Sequence, residues 1–368
     1  MIELKGKYNY AIVFTDDLEI QAEKQITNLL DHEFIKDSKI RIMPDVHAGI
    51  GCTIGTTMTI QDKIVPNLVG VDIGCGIETV LLKNKNIELE KLDKIVHNSI
   101  PSGFKIRKTV HPYIDELDLD NLKCLNHINI KRARLSLGTL GGGNHFIEIN
   151  EDENGQLYLV VHSGSRHLGK QVAEYYQKLA FKDLKGKNIK INKNLAYLEG
   201  KLFDDYLHDM AIVQKYAEKN RHAIVSEIVK QMKFKVVDSF TTIHNYIDIE
   251  SMILRKGAVS AKKGERLLIP INMRDGSLLC IGKGNEEWNY SAPHGAGRIL
   301  SRRAAKESFK MSDFKKSMED IYSTTVNKGT LDEAPFAYKP IDEIIANIGD
   351  TVEIVRVLKP LYNFKAVE

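Results

Sequence analysis

The run LYLVVHSGSRHLG, Leu157 to Gly169, places five apolar residues directly before a histidine, two serines, an arginine and a second histidine. Leu157–Val161 is short, apolar and ends in two β-branched residues, so it reads as a buried strand. His162 comes off that strand two residues before a glycine, the kind of position where a rigid element holds a side chain out for chemistry. Ser163 and Ser165 offer hydroxyls, and Arg166 offers a planar fork suited to phosphate.

The neighbouring segments continue the same mixture. Ala11–Phe14 predicts a strand, and Ile20–Leu30 an amphipathic helix. From Ile40 to Val80 the chain reads as short strands punctuated by glycine, and the polar stretch 82–94 leads into a helix. Asp204–Met232 is the longest helical pattern, with Leu207, Met210, Val213 and Ala217, then Ile224 and Ile228, at helical spacing. Farther on, Leu267–Ile271 and Leu278–Ile281 predict strands about a turn at Arg274–Gly276. Arg298–Phe309 predicts a helix, and Asp350–Val357 a last strand. Strands and helices alternate without a regular strand–helix–strand period. That predicts one large α+β domain over residues 1–368, not a doubly wound parallel sheet.

Composition narrows the function. With 43% apolar residues in 368, the chain has ample surface to bury, which excludes disorder as its main state. Its 52 basic and 49 acidic side chains leave only +3, so any nucleic-acid contact must come from local patches. The lysine-rich stretch Lys182–Lys193 reads as a solvated face or such a patch. No stretch approaches the roughly 20 apolar residues of a membrane span, and Met1–Tyr10 lacks the apolar core of a signal peptide. Cys52, Cys75, Cys124 and Cys280 form no C-x-x-C pair. A cytoplasmic protein with reduced thiols is expected, any of them a potential metal ligand.

Several motifs carry chemistry. In MPDVHAGIG (residues 43–51), Asp45 and His47 share a face if extended, although a polar turn at a sheet end is an equal reading. In VGVDIGCGI (69–77), glycines let the backbone curl so that Asp72 and Cys75 converge. A hard oxygen beside a soft sulfur suits a borderline cation such as Zn²⁺, Mn²⁺ or Fe²⁺; a buried structural cysteine is the blander alternative. GTLGGGNHFIEI (138–149) combines three glycines, which permit close backbone approach to a phosphate, with Asn144 and His145. His244 stands in a mixed segment. In SAPHGAGRILSRR (291–303), His294 precedes Gly295 and Gly297, and the expected helix would set Arg298 and Arg302 on one face near an anion. Asp72, Cys75, His145, His162 and His244 suffice for one metal, or for two sharing the thiolate. His294 is left over with arginines around it. Metals, an anion pocket and a spare histidine suggest phosphoryl or nucleotidyl transfer.

At this point the chain resembles the RtcB family of RNA-splicing ligases. The resemblance rests on IRIMPDVHAGIG, VGVDIGCGI, GTLGGGNHFIEI, HSGSRHLGK, YLHDMAIVQKYAEKNR, RKGAVSAKKGE, SAPHGAGRILSR and DEAPFAYK, in that order from about residue 10 onward. It implies GTP-dependent joining of an RNA 3′-phosphate or 2′,3′-cyclic phosphate to a 5′-hydroxyl, with two Mn²⁺ ions and a histidine–GMP intermediate. Asp72 and His145 would hold one metal, His162 and His244 the other, and Cys75 would bridge them. His294 would take the GMP. Asn144, Glu148, Gly297, Arg298, Tyr338 and Lys365 would contact the guanylate, and Arg166 and Arg302 phosphate or RNA.

Two departures stand out: the chain is short for the family, and IPINMRDGS (269–277) replaces the IPGSMG of many members. Met273 falls near the place of a nucleotide-contacting serine, and Ser277 is the nearest hydroxyl that could substitute. That loop is the support for an alternative, a metal-dependent phosphodiesterase or phosphatase that has lost ligation. A non-catalytic RNA-binding protein is a third reading, opposed by the full ligand set and His294.

Overall fold

The computed structural model describes residues 1–366; Val367 and Glu368, the end of the expected domain, lie outside the described residues. Helices and sheets are mixed as the α+β expectation has it. The strand that carries His162 runs from Leu157 to Ser163 and is buried throughout. It lies third in a seven-stranded sheet, in the order 236–243, 76–82, 157–163, 146–151, 352–365, 276–282, 266–272. Every neighbouring pair is antiparallel. The sheet curls until its two edges meet, where Leu268 N–H donates to Thr242 Oγ1 at 3.2 Å. Ile77, Phe146, Val160, Leu268 and Leu358 fill the inside of the curl. On the outer face Val80, Leu159 and Val161 pack with Leu92 and Val96 of the helix Leu89–Ser99 and with Ile224 and Ile228 of the longest helix.

The antiparallel register decides where chemistry can gather. Ile77 pairs with His162, His162 with Phe146, Ile243 with Gly76, and Phe146 with Lys365. Cys75, His145, His162, His244 and Lys365 therefore sit at or just beyond the same end of adjacent strands. A six-stranded sheet, in the order 2–5, 10–13, 40–47, 54–59, 253–256, 245–248, brings Asp45 and His47 to this end from the other side.

The helix Lys201–Met232 is the frame behind these strand ends. Its inward stripe is apolar except at Asp209, Asn220 and Arg221, all fully buried, and the last two face the site. Asn220 Oδ1 accepts from the N–H groups of Gly138 and Thr139, and its Nδ2 donates to Ser163 Oγ and Gly164 O, at 2.8–3.1 Å. Arg221 donates to the carbonyls of Gly74 (2.7 Å) and Ser163 (3.1 Å), each next in sequence to an expected ligand. Two adjacent side chains thus tie down all three glycine-rich loops.

Two expected elements differ. The helix predicted over Arg298–Phe309 is confined to Arg302–Ser308, with Ser301 as its cap. Gly297 at φ 77° turns the chain, and Arg298 instead bridges to Tyr338. So Arg298 and Arg302 do not share a helix face. The last strand does not end before Pro360 but continues to Lys365. Its register slips between Pro360 and Tyr362, which accommodates a residue with no N–H to donate.

Asn220→Ala should lower the unfolding free energy by about 2–4 kcal/mol, because several buried groups lose a partner at roughly 1–3 kcal/mol each. Urea denaturation measures this; a loss below about 1 kcal/mol would show that the loops hold themselves.

Candidate active site

His145 and His162 are oriented by backbone. Nδ1 of His145 lies 2.7 Å from the Leu140 carbonyl, and Nδ1 of His162 lies 3.2 Å from that of Asn144. A carbonyl oxygen only accepts, so the proton belongs on each Nδ1 and the lone pair on each Nε2. Both Nε2 atoms face Cys75 Sγ, at 3.4 Å for His145 and 3.3 Å for His162. Asp72 Oδ2 is 3.0 Å from His145 Nε2, and His244 Nε2 is 3.4 Å from His162 Nε2. Asp72–Cys75–His145 and Cys75–His162–His244 form two triads, each with its ligand atoms within 4.8 Å of one another.

Lone pairs, a carboxylate and a sulfur crowded together in a buried place repel one another unless a cation stands between them. The donors fit a borderline divalent metal at each triad, with Cys75 shared. Burial works to raise the Asp72 carboxyl, but neighbouring positive charge, the Arg166 guanidinium included, holds it at about 2. Burial pushes His162 and His244 well below the usual histidine range, keeping them neutral and ready to ligate. Burial and the Asp72 charge push the Cys75 thiol well above its ordinary range. Metal entry must therefore displace that proton, and affinity must rise with pH. Gly164 is obligatory here, because a Cβ on it would occupy the place of the Asp72 carboxylate.

His294 belongs to neither triad. Its ring lies 5.0 Å from that of His244. Nδ1 is 2.6 Å from Oδ2 of Asp45, which is fully buried, and the His294 backbone N–H donates to the same oxygen at 3.2 Å. This fixes the ring and leaves Nε2 free at the cleft.

The cleft has a volume of about 680 Å³ and is lined by His162, His244 and His294 at one end. Asn144, Glu148, Gly297, Arg298, Tyr338 and Lys365 all line it, as does Arg302. Arg298, Arg302, Tyr338 and Lys365 converge on Glu333, at 3.2, 2.7, 2.6 and 2.8 Å. Burial works to raise Glu333, but the Lys365 and Arg302 charges hold it at about 2. Glu148 is the opposite case. Burial raises it to about 7 even though Asn150 and Asn363 donate to it.

The structure separates two expected residues from this group. Ser277 is buried in the hairpin, its hydroxyl without a hydrogen-bond partner, while Pro270, Ile271 and Met273 line the cleft. Arg166 lies instead in a second depression of about 940 Å³ with Lys105, Arg132 and Lys170. Its guanidinium rests over Gly141, where any Cβ would collide with it. Ser165, next in sequence to Arg166, donates its N–H to Asp72 Oδ1 at 3.0 Å, and Gly143 of this depression stands two residues before His145.

Comparison with known proteins gives the family. A family model described as tRNA-splicing ligase RtcB matches residues 25–366. The chain belongs to the RtcB family. It is 34% identical to the RNA-splicing ligase RtcB of Escherichia coli K12, over 93% of each chain. It is 29% identical to the tRNA-splicing ligase RtcB of Aeropyrum pernix (95% of this chain, 92% of that one) and 27% identical to that of Nanoarchaeum equitans (94% and 92%).

Within this RtcB site, sequence reading left out three contributors. Asp45 was noted beside His47 but not joined to His294, from which 249 positions separate it. Glu333 lies in the DEAPFAYK block, and Asn363 in the last strand. A buried acid among arginines leaves no periodic signal; only the block as a whole marked the region.

By elemental analysis after dialysis, the unmodified protein should bind two divalent metals per chain and Cys75→Ala less than one. The other cysteines are buried and unbridged, so Cys52→Ala, Cys124→Ala and Cys280→Ala should bind normally. Full metal content in Cys75→Ala would reduce that residue to packing.

Proposed function

We propose that residues 1–368 form one catalytic domain of a GTP-dependent RNA ligase. It joins RNA 3′-phosphate or 2′,3′-cyclic phosphate ends to 5′-hydroxyl ends in RNA repair or tRNA splicing, in the cytoplasm. The observation that carries this reading is His294, held by a buried carboxylate with one nitrogen free, in the same cleft as the Cys75–His162–His244 triad. Among the described residues no helix is long and apolar enough to cross a membrane.

His294 Nε2 attacks the α-phosphorus of GTP and pyrophosphate leaves. The ring then carries positive charge, which Asp45 balances through Nδ1–H. The guanylate passes to the RNA 3′-phosphate, making a pyrophosphate-linked end. The 5′-hydroxyl attacks the RNA phosphorus and GMP departs. A cyclic phosphate is first opened by water. Two Mn²⁺ ions, held as Asp72–Cys75–His145 and Cys75–His162–His244, would polarise phosphoryl oxygens and neutralise their charge. Arg298 and Arg302 stand where phosphate charge gathers, and Arg166 in the second depression is placed for the RNA backbone.

Glu148 and Lys365 make a base-reading pair. An ionised Glu148 accepts from guanine N1–H and N2–H₂, and Lys365 donates to O6; adenine presents the opposite pattern there. The phosphodiesterase alternative draws on Met273 at the cleft wall, with the Ser277 hydroxyl enclosed elsewhere. Covalent labelling by GTP separates the two readings.

With GTP and Mn²⁺, mass spectrometry should find a +GMP adduct on His294. His294→Ala should abolish it while keeping its metals, and Asp45→Asn should slow it. An adduct that persists in His294→Ala, or maps to a lysine, refutes the assignment.

Lys365→Ala should weaken GTP use by roughly 10- to 150-fold at limiting GTP, the worth of one charge-assisted hydrogen bond. Glu148 supplies a pH test. Protonation below about 7 removes an acceptor, so competition by guanosine, which has no phosphate to titrate, should weaken as pH falls from 7.5 to about 5.5. Glu148→Gln should bind weakly and lose that dependence. A pH dependence unchanged in Glu148→Gln would place guanine elsewhere.

A further inference from the structure

The second depression has a feature that the ligase chemistry does not use. Phe104 stands at its rim with 83% of its surface exposed, the highest value among the exposed large hydrophobic residues. It joins no hydrophobic cluster. Its backbone, by contrast, is held firmly. The Phe104 carbonyl accepts from Arg132 Nη2 at 3.0 Å, and the Gly103 carbonyl accepts from Arg166 Nη2 at 3.3 Å. Gly103 N–H donates to the Gly141 carbonyl at 2.7 Å. The turn is thus tied both to the glycine loop before His145 and to the two arginines that line the depression.

The charge around the ring is one-sided. Lys105, Arg132 and Arg166 have no carboxylate within 4 Å among the described residues, and Lys170 has only Glu174 at 3.9 Å. An exposed aromatic ring on a firmly held backbone, beside cations without a carboxylate in contact, matches an unpaired nucleotide, whose base stacks while its phosphates meet the guanidinium and ammonium groups. A purely apolar partner would leave those cations unanswered, and a duplex end would keep its bases stacked on each other.

We propose that Phe104 is a stacking platform for a nucleobase of single-stranded RNA bound in the depression lined by Lys105, Arg132, Arg166 and Lys170. This rests on the reading that the chain acts on RNA. The ring binds any base, because every base has a π-face, and it favours unpaired ends over paired ones.

The test uses the full chain and a labelled single-stranded RNA of about ten nucleotides, within the span such a site covers. At fixed salt, Phe104→Ala should weaken binding by roughly 5- to 150-fold, and Phe104→Trp should preserve it. The chain's one tryptophan, Trp288, is buried, so the fluorescence gained in Phe104→Trp reports the new ring, and RNA should quench it. A blunt duplex of the same length should bind Phe104→Ala and the unmodified protein alike. Equal affinity of Phe104→Ala and unmodified protein for the single strand overturns the platform, as does an unquenched Phe104→Trp. A protein that takes GMP on His294 yet shows either result keeps the ligase reading and loses only the platform. Absence of both the adduct and RNA binding in the unmodified protein overturns both.

Discussion

Two imidazole lone pairs aimed at one sulfur are the constraint around which the molecule is arranged. The carbonyls of Leu140 and Asn144 take the Nδ1 protons of His145 and His162, so the unprotonated nitrogens must face Cys75. Left alone, that geometry is poorly satisfied, since the single thiol proton can answer only one of the two lone pairs. It holds because Asn220 ties down Thr139, next to Leu140, and Arg221 ties down Gly74 and Ser163, next to Cys75 and His162, both from a buried place on a long helix. Much of the buried polar network therefore serves a site whose own interactions become favourable only with cations present.

A similar exchange of roles occurs at the other end of the cleft. Glu333 collects cationic side chains and keeps them in place, so each arrives with its orientation set and its charge partly answered. Glu148, on the strand beside the one that carries Lys365, has no cationic group within 4 Å among the described residues, and burial raises it to about 7. One carboxylate that lines the cleft and one behind its wall are thereby given different work by their surroundings alone.

Four of the five expected ligands could be picked from sequence because they lie within two residues of a glycine, where the chain must turn and little else explains a histidine or cysteine; His244, in a mixed segment, had only its place at a strand end. The long helix was readable from its apolar spacing. What escaped reading is what depends on distant pairing. Asp45 meets His294 across 249 positions, and no local pattern ties a carboxylate in one sheet to an imidazole beyond another. The short helix at Arg302 was overextended because alanine, leucine and arginine around it suit a helix, whereas Gly297 had already turned the chain. Pro360 suggested a strand end, and only the slipped register shows how the sheet passes it. The place of Ser277 depended on hairpin register, which composition does not specify.

The environment of Cys75 also bears on how the protein meets oxidants. Peroxides and alkylating agents attack the thiolate, and their reach depends on exposure. Cys75 is 3% exposed, and burial with the adjacent Asp72 charge keeps its proton on. A thiol so placed is a poor target while no metal is bound. Because one sulfur belongs to both triads, its oxidation would disable the whole centre in a single event. The features that make it reluctant to ionise therefore act as a safeguard, shielding the least replaceable atom of the site between folding and the arrival of its ions.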